Sequence, residues 1–246
     1  MSAANTIDFS GLPLFNRIDA RDCSLLFDCL GCRIRRYKKD DYIRMDGEMN
    51  STVGTVLEGS VLTYTEDIWG KRTLISFITE GDVFGENIAF MGNGMEKPDL
   101  VYKSASSTLI LFIPAGRITH PCKNACTFHH LLTQNMFALI SAKNRSLMKK
   151  IDVISRGSVR EKILAYLSME ALRSGSSTFR IPLRRSEMAE YLCINRSAMT
   201  RELASLKKEG IIDYDKNLFI IPSPEVLRER RTHLDSDFNP STSFFC

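Results

Sequence analysis

The segment from Arg184 to Ile212 constrains the fold of this chain more than any other, because its apolar residues recur at helical spacing in two short runs. The two apolar faces consist of Met188, Ala189 and Leu192, followed by Met199, Leu203 and Leu206. Two short amphipathic helices joined by a tight turn are typical of a helix-turn-helix, whose second helix enters the major groove of DNA.

The outward face of the second predicted helix carries basic and hydroxyl-bearing side chains. They are Arg196, Ser197, Thr200 and Arg201. Asn195 directly precedes the helix, and we expect its side chain to accept a backbone N–H of the first turn. Because arginine forms bidentate hydrogen bonds with guanine O6 and N7, we predict that this face binds DNA.

The residues that follow the helix-turn-helix favour the same interpretation. Residues 213–215 and 218–221 have the composition of two short strands, and Lys216 and Asn217 form the turn between them. Surface helices with two arginines also occur in proteins without a DNA partner. A hairpin at this position adds a wing, which makes a winged helix-turn-helix the better interpretation.

The overall charge is too small to indicate a nucleic-acid partner by itself. The 246 residues carry a net charge of +4, but the bases are concentrated in residues 143–160 and 180–208. The chain has no run of ~18 apolar residues and no signal-peptide pattern, so we expect a cytoplasmic protein without a membrane partner. The seven cysteines are odd in number and irregularly spaced, which is typical of free thiols.

The N-terminal half has a different pattern. Residues 1–36 are predicted to form a helical entry, and short alternating segments separated by glycine-bearing turns follow from Tyr37 to Ile113. The predicted strands are residues 42–44, 53–57, 60–65, 73–78 and 109–113. Many short strands at this spacing indicate a β-barrel of the jelly-roll type.

A long helix is predicted from Thr127 to Ile154. Its apolar stripe is close to a heptad repeat, which favours a dimer helix that packs on its symmetry mate. The stripe contains Leu132, Met136, Leu139, Ile140, Lys143, Leu147, Ile151 and Ile154. The alternative is a helix that lies on its own barrel, and a lysine in the stripe favours that alternative.

These patterns predict an α+β chain. We expect a sensory β-barrel domain with its helical entry in residues 1–120, a dimerisation helix and hinge in residues 121–157, and a winged helix-turn-helix in residues 158–227. Residues 228–246 are polar and are predicted to be disordered. Gly157 is the predicted hinge, and Ser158 and Glu161 have the spacing of a capping box.

The order of barrel, long helix and winged helix-turn-helix resembles the catabolite activator/fumarate–nitrate regulator (CRP/FNR) family of bacterial transcription factors. The resemblance spans residues 14–227, and its most specific segments are Glu58–Val61, Gly81–Glu86 and Arg184–Ile212. It implies a sequence-specific transcriptional regulator, not an enzyme, that binds a two-fold symmetric operator as a homodimer. Half-sites ~34 Å apart fit two recognition helices related by that symmetry. RNA polymerase and a small-molecule effector of unknown identity are the further expected partners.

The resemblance also locates an effector pocket beside Gly85 and Glu86. In family members that bind cyclic AMP, an Arg-Ser pair about a dozen residues later holds the cyclic phosphate. This chain has Pro98 and Asp99 there, and neither residue suits a phosphate, since proline lacks a donor and aspartate repels the anion.

A second departure concerns the long helix, which in those members presents hydroxyl groups to the adenine. The matching positions here are the apolar Leu147 and Met148. Lys97 or Lys103 could replace the missing arginine, so both are retained as candidate pocket residues. We expect an effector other than cyclic AMP, and the sequence itself requires no cofactor.

The positions that contact DNA in the family transfer more completely. Arg196, Ser197 and Arg201 occupy the main base-contact positions, and Arg201 matches the shared guanine-reading arginine. Ser197 replaces a carboxylate, so operator preference should differ at that base pair. Cys193 stands where the turn usually has glycine, and a left-handed backbone there costs a non-glycine residue ~1 kcal/mol.

Two alternative functions remain open. The first is a redox or iron–sulfur sensor on the same scaffold, since Cys23, Cys29, Cys32 and Cys122 supply the four thiolates that a cluster needs. Their spacing is the reverse of that in the family's oxygen sensor, which disfavours a metal site. The second alternative is a cyclic-nucleotide-binding module without a DNA role.

Overall fold

The computed structural model describes residue 9 and residues 11–19, 22, 27, 29–45, 51–91, 99–120 and 127–222. The chain forms two compact units that divide between Met148 and Lys149. Within the described residues, no helix is both long and apolar enough to span a bilayer. The predicted disordered tail and the candidate pocket residue Lys97 lie outside the described residues.

The N-terminal unit contains two four-stranded antiparallel sheets. Its strands are β1 (Arg33–Tyr37), β2 (Tyr42–Ile43), β3 (Thr52–Glu58), β4 (Val61–Glu66), β5 (Arg72–Ile78), β6 (Val83–Phe84), β7 (Leu100–Ser104) and β8 (Thr108–Pro114). The sheet orders are β1-β8-β3-β6 and β2-β7-β4-β5. All five predicted strands are present, which confirms the predicted β architecture of this unit.

The sequence analysis missed two longer strands, β1 and β7. Strand β1 was wrongly included in the predicted helical entry because its sequence, RIRRY, has little apolar alternation. It lies at the end of its sheet and pairs with β8 alone, so three of its five side chains are exposed. Pairing with β8, rather than the composition of the segment itself, determines that these residues form a strand.

Three aromatic rings fill the space between the two sheets. The ring of Phe84 lies 5.1 Å from that of Tyr102 and 6.1 Å from that of Phe112, measured between centroids. Gly54 on β3 permits this packing, since a Cβ there would lie 2.4 Å from the Phe84 ring. These rings belong to a buried core cluster between the sheets.

The helices of the N-terminal unit are α1 (Glu86–Ala89), α2 (Ala115–Thr119) and most of α3 (Thr127–Ile154). The predicted bounds of the long helix α3 are confirmed, but half of its predicted dimer stripe is wrong. Leu132 and Met136 are buried in the core of their own unit, and Leu139 and Ile140 pack against the same core. The first half of that stripe therefore faces its own domain, as the alternative interpretation required.

The C-terminal unit combines three further helices with a small antiparallel sheet. Its elements are α4 (Val159–Ser174), β9 (Thr178–Arg180), α5 (Arg185–Tyr191), α6 (Arg196–Lys208), β10 (Asp213–Asp215) and β11 (Leu218–Ile220). The strand order is β10-β11-β9. The predicted capping box begins α4: the Ser158 hydroxyl accepts from the backbone N–H of Glu161, and Glu161 accepts from that of Ser158, both at 3.1 Å.

Candidate nucleic-acid interface

The helix α6 has an apolar inner face and a polar outer face, as its spacing predicts. Met199, Leu203 and Leu206 are buried, at most 1% exposed, and anchor the helix. The four predicted DNA-binding residues, Arg196, Ser197, Thr200 and Arg201, are all exposed. The packing of one face therefore fixes which side chains the other face presents to solvent.

The hydrogen bonds at the start of α6 leave its two arginines available. The Asn195 side chain accepts from the backbone N–H of Ser197 at 2.8 Å and from its hydroxyl at 2.6 Å. The Thr200 hydroxyl donates to the Arg196 carbonyl at 2.9 Å. Neither Arg196 nor Arg201 has an ion-pair partner within the described part of the chain. The face thus offers two guanidinium groups as donors and two hydroxyl oxygens as acceptors.

The turn between α5 and α6 has the predicted left-handed residue. Cys193 is exposed and has a φ of 53°, and the next residue, Ile194, donates its N–H to the Ala189 carbonyl at 3.0 Å. This backbone bond returns the chain to the end of α5 and sets the direction in which α6 starts. The turn keeps the geometry that favours glycine although its side chain is cysteine.

Arg185 connects α5 to the wing, and the sequence analysis did not single it out. Its guanidinium lies 4.9 Å from the ring centroid of Tyr214 and 4.7 Å from that of Phe219. It also donates to the Lys216 carbonyl at 2.6 Å. A cation between two aromatic rings holds the wing hairpin against the helix-turn-helix. The aromatic residues of the wing are the sequence signal that could have identified this contact.

A second connection joins α4 to the recognition helix. Arg160 on α4 donates to Glu202 at 3.1 Å and to Glu209 at 3.0 Å. Glu202 directly follows Arg201 in the chain, so the carboxylate next in sequence to this exposed arginine is paired with a base on α4.

Two candidate effector residues, Gly85 and Glu86, contact other protein groups, although the Oε2 atom of Glu86 is buried without a hydrogen-bond partner among the described residues. Gly85 has a φ of +80°, and a Cβ there would lie 2.4 Å from the Met45 methyl group. Glu86 is only 9% exposed, and its Oε1 accepts from the Lys143 ammonium on α3 at 2.7 Å. Lys143 was predicted to lie on a dimer stripe, whereas in the structure it pairs with the carboxylate of Glu86.

The other candidate pocket residues lie apart from this pair. The Lys103 ammonium is 2.7 Å from the carboxylate of Asp40, which lies in the turn before β2. Leu147 is half-buried and Met148 is 61% exposed.

Two of the four candidate cluster ligands lie among the described residues. Cys29 and Cys32 are both half-buried, and burial raises the pKa of Cys32 to about 12. The remaining two candidate ligands, Cys23 and Cys122, lie outside the described residues.

Comparison with known protein families gives two matches that follow the two units. Residues 34–122 match the model of the cyclic nucleotide-binding domain. Residues 161–230 match the model of the Crp-like helix-turn-helix domain.

Two similar proteins and one similar structure extend these matches over most of the chain. The transcriptional activator protein FnrL of Cereibacter sphaeroides is 25% identical over 201 residues, which cover 76% of this chain and 75% of FnrL. The nitrogen fixation regulation protein FixK of Rhizobium meliloti is also 25% identical, over 79% of this chain and 85% of FixK. The structure of FixK2 from Bradyrhizobium japonicum superposes with a TM-score of 0.63 and 19% identity, and covers 80% of this chain and 96% of FixK2.

Proposed function

Because the chain belongs to the CRP/FNR family of DNA-binding transcriptional regulators, we propose that the outward face of α6 reads base pairs in the major groove of a two-fold symmetric operator. The family consists of transcription regulators rather than enzymes. The residues assigned to base contact are Arg196, Ser197, Thr200 and Arg201. The observation that carries the proposal is that both arginines are exposed while the opposite face of the same helix is buried.

We assign the two arginines to guanine and the two hydroxyls to acceptor roles. The Arg201 guanidinium matches the bidentate donor geometry that guanine O6 and N7 require. The hydroxyls of Ser197 and Thr200 already donate within the helix, so they are expected to accept from cytosine N4 or adenine N6. This differs from a carboxylate at position 197, because a hydroxyl places no full negative charge beside the phosphates.

The proposed dimer contact on α3 shares only Ile151 with the stripe that the sequence suggested. Phe137, Met148 and Ile151 are large apolar side chains that are 67%, 61% and 55% exposed. With the exposed Ser141 and Asn144 between them, they recur at spacings of four, three, four and three. This is heptad spacing, and a second copy of the same helix would cover it. We propose this stripe as the contact of the homodimer.

We further propose that the N-terminal unit responds to an effector other than cyclic AMP. Two charged candidate pocket residues already have partners of opposite charge, since Glu86 is paired with Lys143 and Lys103 with Asp40. The family's phosphate-binding arginine has no counterpart among the described residues. The effector and the genes that the regulator controls would follow from the operators that it occupies.

Selection of duplexes from a random pool by the purified full chain tests the proposal. We expect a palindromic consensus with half-sites about 10 base pairs apart and two chains per duplex. Affinity should fall steeply as salt rises, because lysine and arginine displace counterions from the phosphates. A pool that remains random, or a complex with one chain per duplex, would contradict the proposal.

A further inference from the structure

Lys150 is a buried lysine in the last turn of α3. It is 5% exposed, and residues from Lys149 onward belong to the C-terminal unit together with the helix-turn-helix. Val153, one turn later on the same helix, is 2% exposed. Lysine is almost never buried to this degree without a partner group. Lys149, its neighbour in the chain, is exposed.

One group that faces the Lys150 ammonium is the ring of Tyr191. The Nζ atom lies 4.6 Å from the ring centroid, which is cation–π geometry. Tyr191 is the last residue of α5, directly before the turn that leads into the recognition helix. The contact therefore connects the end of the long helix to the point at which the orientation of α6 is set.

Tyr191 is in turn supported from α4. Its ring lies 5.2 Å from that of Tyr166, and burial raises the pKa of Tyr191 to about 12. Beyond the rings, the buried Glu170 accepts from Arg173 at 2.7 Å. The ring of Tyr191 therefore has limited freedom to move away from the ammonium, since α4 packs against it from another side.

We propose that Lys150 is a positioning residue for DNA binding, because its ammonium holds Tyr191 and thereby the turn before α6 in the orientation that fits the major groove. This inference rests on the proposed role of α6 as the DNA-reading helix. It adds a buried residue that is itself assigned no contact with DNA.

The charge on Lys150 should itself depend on pH. Burial lowers the pKa of Lys150 to about 8, and the Cys193 thiol partly offsets that effect. As pH rises through about 8, the ammonium becomes a neutral amine, and the attraction to the ring is lost. The groups that face Lys150 include Cys193 and Tyr191, and Tyr166 and Glu170 lie behind the ring of Tyr191. Because Cys193 also affects the pKa of Lys150, it must be replaced before a pH effect on binding can be assigned to the lysine.

Four variants of the full chain test the inference, with operator affinity measured by fluorescence anisotropy and folding by thermal unfolding. Lys150→Met keeps the packed methylene chain and removes the charge. Lys149→Met is the matched control, because it removes the same charge from an exposed neighbour. Lys150→Arg restores a cation, and Tyr191→Leu removes the ring.

We expect Lys150→Met and Tyr191→Leu each to weaken binding about tenfold, the size that a desolvated ammonium–ring contact supports. The double variant should be no weaker than either single variant. Lys149→Met should stay within about twofold of the parent, and Lys150→Arg should recover most of the affinity. If Lys150→Met binds as tightly as Lys149→Met, or if its loss only follows a lower melting temperature, the inference is wrong.

The pH profile supplies a readout that a purely packing role would not change. In a Cys193→Ser background, the affinity of the parent should fall relative to Lys150→Arg between about pH 6.5 and pH 9, because arginine keeps its charge. A constant ratio would overturn the inference. Arg201→Ala is measured in the same assay: if it has no effect, the proposed function fails, whereas a loss there without one in Lys150→Met rejects only the role of Lys150.

Discussion

The recognition helix and the strand sandwich of the N-terminal unit use buried residues in opposite ways. In α6, burial of one face leaves Arg196 and Arg201 exposed on the other, so packing presents the functional side chains. In the strand unit, Phe84 and its aromatic neighbours fill the interior, and Glu86 is neutralised by Lys143. The first region exposes charged side chains, whereas the second pairs the charge of Glu86 with a lysine of the same chain.

This difference indicates where variation in function is expected. A DNA-reading face depends on a few exposed side chains, which the helical spacing reveals directly. An effector site depends on which polar groups in the interior remain available to bind a ligand. In this protein the Lys143 ammonium from the long helix donates to the Glu86 carboxylate. The same scaffold can therefore retain its operator function while its sensory interior changes.

Truncation of the inner face of α6 should have the largest effect. Leu203→Ala should lower the free energy of unfolding by about 2–5 kcal/mol, because it leaves a cavity at a site that is 1% exposed. Arg196→Ala, on the exposed face of the same helix, should change the free energy of unfolding by less than about 0.5 kcal/mol. Urea unfolding of the two variants compares the faces, and equal losses would contradict the division into inner and outer surfaces.

Loss of the Lys143 ammonium should have the next largest effect. Lys143→Met leaves the buried Glu86 carboxylate without its charged donor, which should cost about 1.5–3 kcal/mol of unfolding free energy. Adding Glu86→Gln should recover much of that loss, because a neutral amide tolerates burial better than an unpaired carboxylate. If the double variant is less stable than Lys143→Met alone, the ion pair does not explain the effect.

Gly54→Ala tests whether the strand interior is full. The added Cβ would lie 2.4 Å from the Phe84 ring, and overpacking of this kind costs about 1–3 kcal/mol. In a Phe84→Leu background, Gly54→Ala should lower the free energy of unfolding less than it does in the parent, because the smaller side chain leaves room for the added methyl group. Urea unfolding of the two single variants and the double variant measures this difference. An interior with spare volume would instead show additive effects.

Cys193→Gly should have the smallest effect. Glycine adopts a φ of 53° without strain, so the variant should gain up to about 1 kcal/mol of unfolding free energy, partly offset by its more flexible unfolded state. Cys193→Ala removes the same thiol but keeps the Cβ, and it should be close to the parent. A gain in Cys193→Ala equal to that in Cys193→Gly would show that the backbone is not the cause.

The sequence predicted the C-terminal unit more completely than the N-terminal one. Helix spacing identified α5 and α6, and Asn195 was predicted to cap α6, because both signals lie within a few residues of each other. Strand β1 and the Lys143–Glu86 pair were missed because they depend on partners far away in the chain. The stripe of α3 was predicted in part, since heptad spacing cannot distinguish a helix that packs on its own domain from one that packs on a copy.

The contacts that orient the recognition motif were missed for a similar reason. No motif assigns a role to Arg185, Arg160 or Lys150, and each contacts an aromatic ring or a carboxylate from another element. Their residue types alone indicate only surface charge. The fold brings them together, so their roles become visible only in the structure.

The affinity of the Arg201→Ala variant for a selected operator and its single-base-pair variants tests the central claim most directly. We predict a loss of about 1–3 kcal/mol in binding free energy and a relaxed preference at one guanine in each half-site, with no change in thermal unfolding. Binding as tight and as selective as that of the parent would contradict the assignment of this face to DNA.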